Sequence, residues 1–107
     1  MVINQYNIVL VNLDPTIGSE IQKTRPCLVL SPNEINHNIS TIIIAPMTSS
    51  VKKYPTRVPI NHNNKNGFVA IDQIRTINKQ RIIKVFASAS KKEISQVKKI
   101  LKETLID

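Results

Sequence analysis

A chain of 107 residues is near the size of one domain and too short to enclose two ordinary hydrophobic cores, so residues 1–107 are expected to form a single unit. Fifteen Lys and Arg against seven Asp and Glu leave a formal charge of +8, which favours polyanionic partners, while a single cysteine excludes an intrachain disulfide and a thiolate zinc site. No segment approaches the ~20 apolar residues that span a bilayer and no leader pattern precedes the first strand, so the expectation is a cytoplasmic protein without membrane association.

Short β-branched runs recur along the chain at 8–13, 27–30, 41–45, 57–60, 68–71 and 81–85, and each reads as a strand. Asp14-Pro15, Ser31-Pro32, Tyr54-Pro55 and Asn66-Gly67 punctuate them, with Asn66-Gly67 a strong turn signal. Cys27 opens the apolar run Cys27-Leu28-Val29-Leu30 and reads as a small core residue. Pro59 removes a ladder donor and demotes the run 57–60 to an edge strand.

Only the last stretch, 90–107, reads as helical. Ser90 and Glu93 have capping-box spacing, and Ile94, Val97, Leu101 and Leu105 fall on one face that should dock on the sheet. That segment carries five Lys against Glu93, Glu103 and Asp107, so most of the positive charge belongs to the β-rich body. The expected fold is mainly β with a C-terminal helix. Two polar loops, at 14–24 and 48–56, are the natural places for a site on such a scaffold.

Several chemistries fall away by composition. His37 and His62 lie in Asn-rich segments that read as surface loops, and neither belongs to a two-histidine metal motif. Two glycines, Gly18 and Gly67, cannot build a Walker loop or a dinucleotide fingerprint. No serine lies in a nucleophile elbow. What remains is a set of Arg, Lys, hydroxyl and carboxylate groups, suited to phosphodiester chemistry by electrostatic stabilisation without metal or cofactor. RNA supplies its own nucleophile, the 2′-hydroxyl.

The segment Asp14-Pro15-Thr16-Ile17-Gly18-Ser19-Glu20, with Lys23-Thr24-Arg25-Pro26 after it, places a carboxylate and an arginine just ahead of a buried strand. Ala45-Pro46-Met47-Thr48-Ser49-Ser50 ends an apolar strand in hydroxyls, and Lys52 and Lys53 follow. Taken singly, each reads as an ordinary solvated loop or turn.

Together they resemble the MazF/PemK family of toxin endoribonucleases, through LVNLDPTIGSEIQKTRPCLVLSP at 10–32, IIIAPMTSS at 42–50, YPTRVPI at 54–60 and GFVAIDQIRTINKQRI at 67–82. The resemblance implies a homodimeric, SH3-like barrel of the PemK/CcdB type that cleaves single-stranded RNA without metal. The implied reaction is attack of the 2′-hydroxyl on the adjacent phosphate, leaving a 2′,3′-cyclic phosphate and a 5′-hydroxyl. It also implies an acidic, partly disordered antitoxin as partner. The chain departs from the family at Tyr6-Asn7-Ile8, where Gly-Asp-Ile is common.

The family's T-R-P arginine falls on Arg25 and its P-x-T-S threonine on Thr48. An arginine keeps its charge and offers a planar fork to phosphate oxygens, so Arg25 is expected to stabilise developing charge and to serve as proton donor to the leaving oxygen. Thr48 is expected to hydrogen-bond the phosphate. Glu20 matches a family carboxylate and is the candidate to orient Arg25 or accept the 2′-hydroxyl proton, with a surface ion pair as its alternative. Ser19, Thr24, Ser49, Lys52, Lys53, Gln73 and Arg75 are expected RNA contacts, and Gln73 ranks above Asp72, which also reads as a turn carboxylate. Two rivals stay open: a gyrase-binding toxin of the CcdB type, and an RNA-binding barrel that cuts nothing.

Overall fold

The computed structural model describes residues 1–13, 24–49 and 54–107. Seven strands form one curled sheet: β1 (Asn7–Asn12), β2 (Thr24–Val29), β3 (Thr41–Thr48), β4 (Arg57–His62), β5 (Lys65–Ala70), β6 (Arg75–Asn78) and β7 (Ile82–Ser88). They run in the order β4-β5-β3-β2-β1-β7, with β6 also on β3. The α-helices among the described residues are a one-turn helix α1 (Asn33–Asn36) and the C-terminal helix α2 (Lys91–Leu105). The mainly β architecture with a C-terminal helix is the one expected, and β4, with Pro59, lies at the sheet edge as expected.

β3 is the pivot of the curl. Ile44 pairs with Val29 of β2 on one edge and with Arg75 of β6 on the other. Further along, Met47 and Thr48 pair with Val69 and Phe68 of β5. One edge of β3 thus serves β6 and then β5, and the 3-10 turn Ile71–Gln73 between those two strands carries the sheet around the corner. The result is a half-barrel.

Alternation along the strands divides the core in two. One face buries Ile8, Leu28, Ala45 and Met47 against Val58, Ile60, Val69 and Ile71 of the curled end and against Val97 of α2. The opposite face buries Val9, Val11, Cys27, Val29, Ile42, Ile44 and Ile77. Both stacks are aliphatic, as the shortage of aromatics requires.

The capping box is formed: the Ser90 hydroxyl accepts from Glu93 N at 3.1 Å and the Glu93 carboxylate accepts from Ser90 N at 2.8 Å. The docked stripe differs from the expected one at its end. Ile94, Val97 and Leu101 pack on the core together with Ile100, whereas Leu105 is 59% exposed because α2 outruns the sheet beneath it.

The hairpin between β4 and β5 corrects the turn expected at Asn66-Gly67. Asn63 (φ 51°) and Asn64 (φ 61°) form the two-residue loop, and Asn66 and Gly67 lie inside β5. Two successive left-handed residues match the twist of a tight hairpin, and Asn tolerates that region better than most residues. Register decides the matter: the observed turn pairs Val58 with Val69 and Ile60 with Gly67, so the apolar side chains share the core face. A turn three residues later would separate them. The strand β6 and helix α1 were also not expected as separate elements; each is one short element of four residues, below the length at which periodicity speaks.

Tyr6 takes φ 68°, a left-handed conformation that favours glycine. Its backbone is pinned there, with Tyr6 N donating to Val29 O at 2.8 Å and Tyr6 O accepting from Ala89 N at 2.9 Å. The departure from Gly at this position therefore keeps the turn and places a half-buried ring against the core.

Candidate functional site

The antiparallel register of β2 and β3 builds the site. Cys27 pairs with Pro46, and Arg25 and Thr48 lie two residues further along β2 and β3. Residues two apart on a strand share a face, so both point to the same side of the sheet. Arg25 is exposed and Thr48 half-buried, and both line an open cavity of about 460 Å³.

Leu10, Pro26 and Met47 also line that cavity, as do the hydroxyl residues Thr24 and Ser49. The β4–β5 hairpin supplies the far wall with His62, Lys65 and Asn66. Among the described residues no carboxylate lines it, so the cavity is cationic and rich in hydrogen-bond donors, the character an anionic phosphate requires. Among the described residues no group of three or more His, Cys, Asp or Glu is placed to hold a metal ion.

His62 corrects its reading as a surface-loop residue. It ends β4, half-buried, with its ring 4.6 Å from the Phe86 centroid at an interplanar angle of 65°. Lys84 Nζ lies 5.1 Å from the same Phe86 centroid. Alternation carries the signal for it: Val58 and Ile60 point inward, so His62 continues the inward row past the end of the apolar run. Lys65 and Phe86 reach the cavity by cross-strand neighbours, for which local sequence holds no mark. His37 is exposed, as expected, with Nε2 2.9 Å from Asn4 Oδ1.

Of the other residues singled out from sequence, Thr24 and Ser49 line the cavity and Gln73 and Arg75 do not. Gln73 lies exposed in the 3-10 turn at the corner of the sheet. Arg75 shares a sheet face with Arg25, through the pairing of Ile44 with both Val29 and Arg75. Asp72 takes the turn-carboxylate role, accepting from Thr56 Oγ1 at 2.8 Å and from Arg57 Nε at 3.0 Å. Burial pushes the Asp72 carboxyl up, but those hydrogen bonds outweigh it and hold the group below its ordinary value. Ser19, Glu20, Lys52 and Lys53 lie outside the described residues.

Cys27 underlies the site without reaching it. Burial pushes its thiol up to about 12, against the opposing fields of Arg25 and Arg75. Its Sγ is 3.5 Å from the Arg25 carbonyl oxygen. A thiol held in this way is a packing residue beneath the arginine.

Residues 4–105 match the family model described as PemK-like, MazF-like toxin of type II toxin-antitoxin system. The chain is 34% identical over 71 residues to the endoribonuclease toxin MazF of Escherichia coli K12, covering 66% of this chain and 64% of that protein. It is 34% identical over 89 residues to the endoribonuclease EndoA of Bacillus subtilis, covering 77% and 76%. The MazE-MazF crystal structure from Deinococcus radiodurans (Form-II) superposes with a TM-score of 0.84 at 30% identity, covering 98% of this chain and 96% of that one.

Proposed function

The chain belongs to the PemK-like, MazF-like toxins of type II toxin-antitoxin systems, and on that basis we propose that it is a sequence-specific endoribonuclease acting on single-stranded RNA. The observation that carries the reading is that Arg25 and Thr48 line one cationic cavity without a carboxylate among its described lining residues. A phosphodiester held there would have its non-bridging oxygens against the guanidinium fork and the threonine hydroxyl. As the 2′-oxygen attacks, charge builds on those oxygens, and fixed donors stabilise it more than they stabilise the ground state.

The step closes the 2′-oxygen onto phosphorus and expels the 5′-oxygen, so one proton leaves the 2′-hydroxyl and one reaches the departing oxygen. Arg25 is the donor we assign to the leaving oxygen, and Glu20 the acceptor we assign to the 2′-hydroxyl. The products are a 2′,3′-cyclic phosphate and a 5′-hydroxyl, with no metal taking part. Thr24, Ser49 and Lys65 are assigned contacts to the flanking backbone. We assign an acidic antitoxin as the partner that covers this surface, a reading supported by the MazE-MazF structure from Deinococcus radiodurans, in which a MazF similar to this chain is paired with a MazE. A homodimer is the proposed assembly, supported by the small core of the chain and by Ile83, 49% exposed on the end strand β7.

The test is incubation of purified protein with a long single-stranded RNA in EDTA, followed by mapping of 5′-hydroxyl ends. Discrete ends at a recurring short motif, lost in Arg25→Ala, are expected. Uncut RNA under all conditions, or cleavage equal in Arg25→Ala, would remove the ribonuclease reading.

A further inference from the structure

The sheet face that carries Arg25 and Thr48 continues past them. Thr48 pairs with Phe68 and Phe68 with Pro59, so Thr48, Phe68 and Pro59 form one cross-strand row on a single face. Two residues along, Asn66 and Asn61 face each other on the same side, joined by Asn61 Nδ2 donating to Asn66 Oδ1 at 2.9 Å. A second open cavity of about 600 Å³ covers Phe68, Asn61 and Asn66, and it shares Ser49, Asn66 and Gly67 with the first. The two hollows adjoin at those shared residues.

From this juxtaposition we propose that the second cavity is a nucleobase subsite, in which a base of the RNA strand next to the scissile phosphate stacks on Phe68 and is read by the Asn61–Asn66 pair. The proposal rests on the ribonuclease reading of the first cavity. The hydrogen bond that joins the two amides uses one donor and one acceptor, and leaves an acceptor, Asn61 Oδ1, beside a donor, Asn66 Nδ2. An acceptor next to a donor is what the hydrogen-bonding edge of an unstacked base matches. Diagonal neighbours on a sheet are roughly 8 Å apart, which places the pair within reach of a base whose phosphate is held at Thr48.

The reader is held rigidly. Asn61 N donates to Glu93 Oε2 at 2.7 Å, which ties β4 to the first turn of α2, while Glu93 Oε1 accepts from Ser90 N. That contact uses the Asn61 main chain, so truncation of the side chain leaves it in place. Phe68 is half-buried, with part of its ring available to the cavity. Phe68 and the Asn61–Asn66 pair therefore set specificity, and the chemistry stays with the first cavity.

Two random-sequence single-stranded RNA pools test the assignment, one with native ribose and one with 2′-O-methyl ribose that cannot be cleaved. Cut ends are sequenced from the first and protein-bound RNA from the second, for wild type, Phe68→Leu and Asn61→Ala, with circular dichroism to establish folding. The expected result is that both variants lose preference at one and the same position of the motif, and bind the best wild-type RNA roughly 5- to 100-fold more weakly, while 5′-hydroxyl ends still form. A wild-type bound pool without a base preference, or variants with an unchanged one, would overturn the subsite. A bound-pool preference that the variants abolish, without cleavage by wild type, would sustain the subsite and sink the ribonuclease reading.

Discussion

Gly67 allows β5 to cross close to the end of β3, and replacing it with alanine tests how closely the site depends on that approach. An added Cβ would lie 3.0 Å from the Thr48 carbonyl oxygen, whereas ordinary contact begins near 3.4 Å, so β3 and β5 would have to part by about 0.4 Å. The obstructing atom belongs to the main chain and is followed by Thr48 C at 3.8 Å, so no rotamer change relieves it. Overpacking of this kind costs roughly 1–3 kcal/mol. Restricting the unfolded chain returns roughly 0.4–1 kcal/mol, because alanine samples fewer conformations than glycine. The net is a loss of about 0.5–2 kcal/mol, which corresponds to a fall in Tm of about 3–15 °C for a domain of this size. Since the strand that yields carries Thr48, cleavage of RNA should fall by more than the loss of folded protein explains, and Thr48→Ala should not rescue the Tm. Thermal unfolding by circular dichroism, with cleavage assayed well below the transition, reads both effects. A Gly67→Ala protein that melts at or above wild type would refute the close-approach argument.

Other outcomes follow from the core and the site. Leu28→Ala empties a fully buried position and should cost about 2–5 kcal/mol in urea unfolding, with an unchanged slope. Ser90→Ala removes the side-chain cap of α2 and should cost roughly 0.5–2 kcal/mol; a midpoint equal to wild type would show that the cap carries no stability. Asp72 has a folded pKa below its unfolded value, so its contribution is present above the unfolded pKa and lost as pH falls through the folded one. The Tm difference between wild type and Asp72→Asn should accordingly shrink below the ordinary carboxylate range, and a difference constant down to pH 2 would contradict it. Cys27 should resist thiol-disulfide reagents at pH 8 in the native state and react fully in denaturant, because burial raises its thiol to about 12; rapid labelling of folded protein would disprove that burial.

Sequence by itself determined the features that rest on neighbours along the chain. The runs of Val, Ile and Leu marked β1, β2, β3, β4 and β5 to within a few residues, Pro59 placed β4 at an edge, and Ser90 with Glu93 fixed the start of α2. Ordered motifs also selected Arg25 and Thr48, which line one cavity. Tertiary structure decided what depends on pairing between distant segments. The turn moved from Asn66-Gly67 to Asn63-Asn64 because that register sets Val58 directly opposite Val69, a pairing that outweighs a local turn signal. The same register carried His62 inward against Phe86 and set Asn61 beside Asn66 outward, beyond Thr48. A period-two pattern tells which residues share a face of one strand, but only the hydrogen-bonded ladder tells which strands lie side by side, and the cavity around Arg25 and Thr48 is made by that second choice.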